Sequence, residues 1–193
     1  MLFPIVEIGL PDWIEEFFRG RDEFYPTVED RMHLVIDLAK KNVDETTGGP
    51  FGAGIFEIDS GRLIAPGVNL VEDLGCSALH AEIVAIMVAQ KKLGRYDLGD
   101  LTFPPMELVS SVEPCAMCLG AVMWCGVSRL ICGARDSDAR AIGFDEGPKP
   151  ENWVEELEKR GIAVVQDLFR EKAVDTLKDY MDHGGLIYNA TRK

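Results

Sequence analysis

Clustered positive charge is scarce in this sequence. Of 193 residues, 20 are Lys or Arg and 33 are Asp or Glu, so the formal net charge is −13. Neighbouring basic residues occur as short pairs such as Lys40-Lys41 and Lys91-Lys92. Proteins that bind DNA or RNA neutralise phosphates with clusters of Lys and Arg. The composition therefore argues against a nucleic-acid partner and favours a small molecule.

Long apolar runs and secretion signals are also lacking. Beyond the first ten residues, the longest uninterrupted apolar stretch is residues 83–89, whereas a membrane-spanning helix needs roughly 20 residues. The first ten residues have no positive start and are interrupted by Pro4, Glu7 and Gly9, unlike a signal peptide. The five cysteines, an odd number, suit a reducing compartment. We therefore expect a cytoplasmic protein that makes no membrane contact.

The first half of the chain predicts a helix, a hairpin and a second helix. Apolar residues recur at helical spacing from 28 to 43, and Thr27 before them is a favourable N-cap. Two strands are expected at 52–58 and 63–70, joined by a turn. A helix is then expected from a cap at Ser77 to Leu93.

The second half alternates strands and helices. The expected elements are a strand at 106–112, a helix opened by Pro114, a strand at 128–133, a helix at 152–160, a strand at 162–166 and a helix at 168–181. Such alternation after a hairpin is typical of α/β proteins. We predict one domain with an N-terminal extension to about residue 25 and a tail from about residue 184. Its fold is expected to be a three-layer α/β/α sandwich with a five-stranded mixed sheet.

Residues able to bind a metal concentrate at two predicted helix starts. His80 precedes Glu82 in the triplet His-Ala-Glu, and Cys115 and Cys118 lie in the run Pro-Cys-Ala-Met-Cys. Cysteines three apart share a helix face, and the helix dipole in a first turn favours thiolates, which bind metal. His80 would add a third ligand and leave the fourth tetrahedral position for water, as in catalytic zinc sites.

Each part of this pattern has another interpretation when taken alone. A histidine at a helix start is usually a surface or capping residue, and an isolated Cys-x-x-Cys can be a redox pair. Redox chemistry explains neither His80 nor Glu82. Side chains two apart on a helix can both approach one ion only beyond the end of that helix. The spacing therefore predicts one zinc ion per chain, with a catalytic water, between two helix N-termini and with Glu82 as the nearby base.

The two motifs together resemble the zinc signature of the cytidine-deaminase superfamily. The resemblance extends over residues 49–53, Asn69 and the segment 141–146, roughly half the chain. The segment 141–146, the run Cys-Leu-Gly-Ala at 118–121 and Trp124 are most similar to bacterial guanine deaminases of this fold.

This resemblance implies hydrolytic deamination of guanine to xanthine and ammonia, with Glu82 moving the protons. Asn69 and the backbone N–H of Ala81 are then expected to bind the purine. Phe51 and Trp124 are expected to line its binding site. Glu146 follows Gly-Phe-Asp, where guanine deaminases carry a carboxylate that is more usually Asp. Guanine presents two donors, N1–H and the 2-amino group, so its pocket needs such an acceptor. Without the resemblance, Asn69 could be a turn residue, the two aromatic residues part of the core, and Glu146 a solvated loop acid.

The resemblance also implies a homodimer in which C-terminal segments are exchanged and Tyr188 could close the site. One alternative function is deamination of cytosine, deoxycytidylate or adenosine in tRNA. Another is a catalytically silent binding module held together by zinc, although such a module has no use for Glu82.

Overall fold

The computed structural model describes residues 3–190. The outermost ends of the predicted extension and tail, residues 1–2 and 191–193, lie outside the described residues. Seven helices and five strands are assigned within the described part. They are α1 (Trp13–Phe18), α2 (Val28–Asp44), β1 (Gly52–Glu57), β2 (Leu63–Val68), α3 (Ala81–Leu93), β3 (Met106–Val112), α4 (Ala116–Cys125), β4 (Arg129–Ala134), α5 (Asp136–Ala141), α6 (Trp153–Glu158), β5 (Ala163–Val165) and α7 (Arg170–Asp182).

The five strands form one mixed sheet in the order β2-β1-β3-β4-β5. Strand β1 pairs antiparallel with β2 and with β3, whereas β4 pairs parallel with β3 and with β5. Parallel neighbours need a crossover connection, and α4 and α6 supply the crossovers. The predicted five-stranded mixed sheet is confirmed.

Helices cover both faces of the sheet and create two apolar cores. One core joins α2 and α7 to residues such as Val109 and Ile131. The other joins α3, α4 and α6 to Leu108 and Leu130. Successive side chains of a strand point to opposite faces, so neighbouring residues of β3 and β4 belong to different cores. All seven residues of β3 are buried, as expected for a strand covered on both sides. The three-layer sandwich is confirmed.

Local chemistry sets the helix boundaries that matter for the site. Thr27 and Asp30 form a capping box at the start of α2, as the sequence predicts. Helix α3 ends at Gly94, whose φ of +67° is the left-handed conformation that glycine adopts readily. Gly67 in β2 lets α3 pack closely on the sheet, because a Cβ there would lie 2.2 Å from the Ala81 carbonyl oxygen.

Two expectations about helix starts are wrong, and one helix was not expected. The N-cap of α3 is His80 and not Ser77, because residues 71–79 form turns before the helix begins. Helix α4 starts at Ala116 with Cys115 as its N-cap, so Pro114 precedes the helix. The short helix α5 was not expected; the Asp138 carboxylate in its first turn accepts a hydrogen bond from the backbone N–H of the N-cap Arg135 at 2.8 Å and so stabilises a segment with little apolar periodicity.

Arg31 of α2 fastens the N-terminal extension to the sheet. Its guanidinium donates hydrogen bonds to the carbonyl oxygens of Tyr25 (2.8 Å), Pro26 (3.0 Å) and Ile58 (2.9 Å). It also forms a fully buried ion pair with Glu107 of β3. A buried guanidinium is stable only when its donors and charge are satisfied, and these four partners do so. Within residues 3–190, no helix is both long and apolar enough to cross a bilayer.

Candidate active site

The three predicted ligands converge at the N-termini of α3 and α4. His80 is the N-cap of α3, Cys115 is the N-cap of α4 and Cys118 lies three residues further along α4. Their candidate ligand atoms all lie within 4.8 Å of one another, and His80 Nδ1 is 3.4 Å from Cys115 Sγ. Both N-caps have extended backbone, so their side chains project beyond the helix ends. This is the end-on arrangement that the spacing predicts.

This donor set fits zinc. Zinc takes Cys sulfur and His nitrogen ligands in tetrahedral geometry at about 2.0 to 2.3 Å, which leaves neighbouring ligand atoms about 3.5 Å apart. The Nδ1–Sγ separation of 3.4 Å agrees with that spacing. Three protein ligands leave one position for a reacting molecule, as in catalytic sites.

Burial and the neighbouring side chains affect the pKa values of the two thiols differently. The pKa of Cys115 is lowered to about 4, chiefly by a hydrogen bond from Cys118 and also by His80. The pKa of Cys118 is raised, because that thiol donates a hydrogen bond to Cys115 and is buried. Cys115 is therefore a ready thiolate ligand.

Glu82 is placed beside the ligands. It lies in the first turn of α3 with 6% of its surface exposed, and its Oε2 accepts a hydrogen bond from Cys118 Sγ at 3.4 Å. Burial, with the nearby Cys115 charge, raises the pKa of Glu82 to about 7. A carboxyl group with a pKa near neutrality can both accept and donate a proton, which is the property of a general acid–base.

A cavity of about 360 Å³ opens beside the ligands. His80, Cys115, Glu82 and Glu146 all line it. Its remaining lining residues are Phe51, Val71, Ser77, Val112, Glu113, Phe144, Asp145, Gly147, Tyr188, Asn189 and Ala190. Two of the three metal ligands, several acids and several rings therefore face one space that can hold a flat heterocycle.

Glu146 is another buried acid of this cavity. It is 7% exposed, and burial, together with the charges of Cys115 and Glu82, raises its pKa to about 8. Its own carbonyl oxygen accepts a hydrogen bond from the N–H of Ala116, the first residue of α4. The alternative interpretation of Glu146 as a solvated loop acid is wrong, because its side chain is buried in the cavity.

Asn69 is fully buried next to the cavity. Its Oδ1 accepts hydrogen bonds from the N–H groups of Gly49 (3.4 Å) and Val71 (3.3 Å), and its Nδ2 donates to the Tyr188 hydroxyl at 2.6 Å. Tyr188 also makes an edge contact with Phe144 at 5.5 Å between ring centroids. The C-terminal tail of the described chain thus reaches its own cavity through Tyr188.

The other residues that were expected to contact substrate lie at different places relative to the cavity. Ala81 is buried between His80 and Glu82, and its N–H, at the start of α3, has no partner within the helix. Phe51 lines the cavity and packs edge-on against Phe144 at 5.0 Å. Trp124 does not form a wall of the described chain's cavity: it is 87% exposed, because it lies on the solvent-facing side of α4, remote from that helix's N-terminus.

Sequence analysis did not identify Glu113, Phe144 or Lys149 as part of the site. Glu113 lines the cavity immediately before Pro114, and Lys149 donates a hydrogen bond to the Pro114 carbonyl at 2.8 Å. Their proximity depends on how the loop after α5 folds, and no residue spacing indicates that pairing.

Comparison with known proteins agrees with this geometry. The profile of the cytidine and deoxycytidylate deaminase zinc-binding region matches residues 26–134. The solved structure of a guanine deaminase from Nitrosomonas europaea is 45% identical, covers 94% of this chain and 99% of that one, and superposes with a TM-score of 0.87.

Two curated proteins illustrate the range of relatives. Guanine deaminase from Bacillus subtilis (strain 168) is 40% identical over 115 residues, which are 60% of this chain and 69% of that protein. A tRNA-specific adenosine deaminase from Agrobacterium fabrum is 31% identical over 152 residues, which are 75% of this chain and 95% of that protein. With the profile matching more than half of the chain and the ligand set in place, the protein belongs to the zinc-binding cytidine and deoxycytidylate deaminase family.

Proposed function

We propose that this protein is a guanine deaminase, a zinc-dependent hydrolase that converts guanine and water into xanthine and ammonia. Three buried acids line the cavity, and one of them, Glu113, is bonded to Gln166 Nε2 and paired with Lys149. The observation that carries the proposal is that the other two, Glu82 and Glu146, line it together with His80 and Cys115. One acid lies beside the metal ligands and the other is free to bind substrate. The similarity to the guanine deaminases of Nitrosomonas europaea and Bacillus subtilis supports the choice of substrate.

His80, Cys115 and Cys118 would hold the zinc ion, and Glu82 would transfer protons. When bound, zinc supplies a Lewis acid that makes water a nucleophile at neutral pH. Glu82 would accept a proton from the attacking water and pass it to the ring nitrogen. It would then accept the proton of the newly added hydroxyl group and pass it to the departing amino group. The new C–O bond forms at the ring carbon that carries the amine, and the C–N bond breaks as ammonia leaves.

Glu146 would select guanine by binding the edge of the base that carries two hydrogen-bond donors. The N1–H and 2-amino groups of guanine both donate. Burial raises the pKa of Glu146 to about 8 in the free protein, but two donors bound to its oxygens would favour the ionised form, which can accept from both. Adenine and cytosine present a bare ring nitrogen at the corresponding place. On the opposite side of the base, Asn69 Nδ2 would bind the base in place of its present hydrogen bond to the Tyr188 hydroxyl. The N–H of Ala81 would bind a further polar atom, and Phe51 would contact a ring face.

The net charge favours a free base over tRNA as substrate. The Agrobacterium fabrum relative is a tRNA-specific enzyme, but this chain carries a charge of −13. Repulsion between such a surface and phosphates opposes binding at physiological salt. The partners we propose are accordingly a purine base, with no nucleic acid and no membrane, in a cytoplasmic enzyme of purine breakdown.

The solvent-facing side of α4 supports a homodimer. All ten residues of α4 lack a charged side chain, yet Met117 is 40% exposed and Trp124 is 87% exposed on it. A helix that is apolar on all sides is normally buried. A second copy of this acidic chain can cover the face without bringing charges together there. Exchange of C-terminal segments between the copies stays a prediction.

A direct activity assay tests the proposed function. The zinc-loaded protein is incubated separately with guanine, adenine, cytosine and deoxycytidylate while ammonia is measured. We expect rapid release from guanine and little from the other three. Faster release from cytosine or deoxycytidylate would leave the deaminase family in place but overturn guanine as substrate. A mobility-shift assay with labelled tRNA separates the remaining alternative, and salt-sensitive binding at micromolar protein would favour it.

A further inference from the structure

Lys149 is a buried lysine in the loop between α5 and α6. Only 7% of its side chain is exposed, and its Nζ lies 3.0 Å from Asp136 Oδ1 and 3.8 Å from Glu113 Oε2. It also lies 5.1 Å from the centroid of the Trp153 ring. A buried ammonium is costly unless it is paired, so these partners fix its position.

The third polar contact of Lys149 reaches the backbone next to a metal ligand. Its Nζ donates a hydrogen bond to the Pro114 carbonyl at 2.8 Å, and Pro114 directly precedes Cys115. On the other side of Cys115, the Ala116 N–H donates to the Glu146 carbonyl at 2.9 Å. The peptide groups before and after Cys115 are therefore both bonded to one segment, residues 146–149.

That segment is itself held tightly. Arg140 Nη2 donates to the Gly147 carbonyl at 2.6 Å. Gly147 has a φ of +69°, and a Cβ at this position would lie 3.0 Å from the Ala116 Cβ. A glycine is needed there for both reasons. Segment 146–149 therefore packs rigidly on the start of α4 while the Glu146 carboxyl group faces the cavity.

We propose that Lys149 is a positioning residue that holds the zinc ligand Cys115 and the substrate-binding acid Glu146 in a fixed relation to each other. The part of this proposal that concerns Glu146 rests on the proposed function. The part that concerns zinc binding does not. Lys149 acts through the Pro114 carbonyl and segment 146–149, and it touches neither the reacting atoms nor the ion. Outer-shell partners of this kind orient metal ligands in many sites.

The test compares Lys149→Met with Lys149→Arg and with a control, Lys159→Met, at a lysine whose side chain is 62% exposed. Zinc affinity is measured by competition with a chromophoric chelator, and kcat and KM for guanine are measured on zinc-saturated protein. We expect Lys149→Met to weaken zinc binding by about 10- to 100-fold, as for other outer-shell partners, and to raise KM because Glu146 shifts. Lys149→Arg should recover part of both losses, and Lys159→Met should match the parent.

A second variant covers the case in which Lys149→Met does not fold, and defined results would contradict the proposal. If Lys149→Met does not fold because Glu113 is left as an unpaired charge, the double variant Glu113→Gln with Lys149→Met removes that charge. This double variant should fold and still bind zinc more weakly than Glu113→Gln alone. A folded Lys149→Met protein with parental zinc affinity and KM overturns the proposal while guanine deamination stands. Absence of guanine turnover in the parent overturns the proposed function while the zinc measurement still decides the role of Lys149.

Discussion

Cys118 Sγ donates a hydrogen bond to Glu82 Oε2 at 3.4 Å, so a metal ligand and the candidate proton carrier are in direct contact. The two residues come from different helices, α4 and α3, whose N-termini meet at the cavity. A substitution of Cys118 therefore tests zinc binding, and a substitution of Glu82 tests proton transfer, at nearly the same place in the fold. The first two predictions use this proximity.

Replacing Cys118 with alanine should remove most of the zinc. The ligand set would fall from three protein donors to two, which is too few for a stable catalytic site. Metal content after gel filtration, measured by atomic absorption, should show one zinc per chain in the parent and far less in Cys118→Ala. Cys132→Ala is the matched control, because Cys132 is equally buried but belongs to β4. Zinc loss in the control instead would contradict the ligand assignment.

Replacing Glu82 with glutamine should leave zinc and fold intact but nearly abolish turnover. The amide keeps the shape of the carboxyl group and cannot carry protons, and general acid–base catalysis contributes about 10²- to 10⁴-fold in rate. The decisive measurements are kcat for guanine and zinc content on the same preparation. Activity within about tenfold of the parent would show that another group moves the protons.

Truncating Glu146 should impair guanine turnover without disturbing the metal. A hydrogen bond to a charged acceptor is worth about 1.5–3 kcal/mol, so Glu146→Ala should lower kcat/KM for guanine by at least about tenfold. Glu146→Gln should recover only part, since its NH₂ group would face a donor. Glu151→Ala, at an exposed acid shortly after this loop, serves as the control. Unchanged guanine kinetics in Glu146→Ala would exclude the specificity role.

The raised pKa of Glu146 predicts a pH-dependent gain in stability when its charge is removed. Burial raises this pKa from 4.5 to about 8, so the folded protein binds a proton here that the unfolded chain has released. Ionised Glu146 therefore destabilises the fold increasingly as pH rises between those two values. In zinc-free protein, where the charge of Cys115 is not offset by an ion, Glu146→Gln should be more stable than the parent near pH 9, at about 1.4 kcal/mol per pKa unit as an upper bound, and similar to it near pH 4. Urea unfolding at both pH values measures this, and an equal difference at both would contradict it.

Introducing a charge at Trp124 should break the proposed dimer. Glutamate in the centre of an apolar contact would be buried without a partner, which strongly opposes association. Sedimentation should show a dimer for the parent and a monomer for Trp124→Glu. Met181→Glu provides the control, since Met181 is also exposed but lies on α7, across the sheet. A monomeric parent would remove the basis of the prediction.

Sequence analysis predicted the features that depend on local chemistry. Periodicity and the Thr27 cap predicted α2, and the donor types at His80, Cys115 and Cys118 predicted a shared ion site. The predicted end of α3 at Leu93 is confirmed, with Gly94 as its C-cap. Each of these follows from a few neighbouring residues or from a residue type with few other uses.

Features that depend on long-range packing were not predicted. Lys149 and Pro114 are 35 residues apart, and Asn69 and Tyr188 are 119 apart, so each contact is set by the whole fold. Trp124 was expected in the cavity because the family pattern carries an aromatic residue there, but a pattern does not say which side of a helix faces solvent. The short helix α5 has too few apolar residues to produce a clear period.

The contacts of Arg31 also determine where a shortened form of this protein can begin. The family profile starts at residue 26, and an alignment would suggest cutting the chain there. Such a cut would remove the Tyr25 carbonyl that accepts from a buried guanidinium, and with it Trp13, whose indole donates to Thr47 Oγ1 at 2.9 Å. The segment that the family profile covers is thus shorter than the segment held together by these hydrogen bonds, and engineered versions need the residues upstream of position 26.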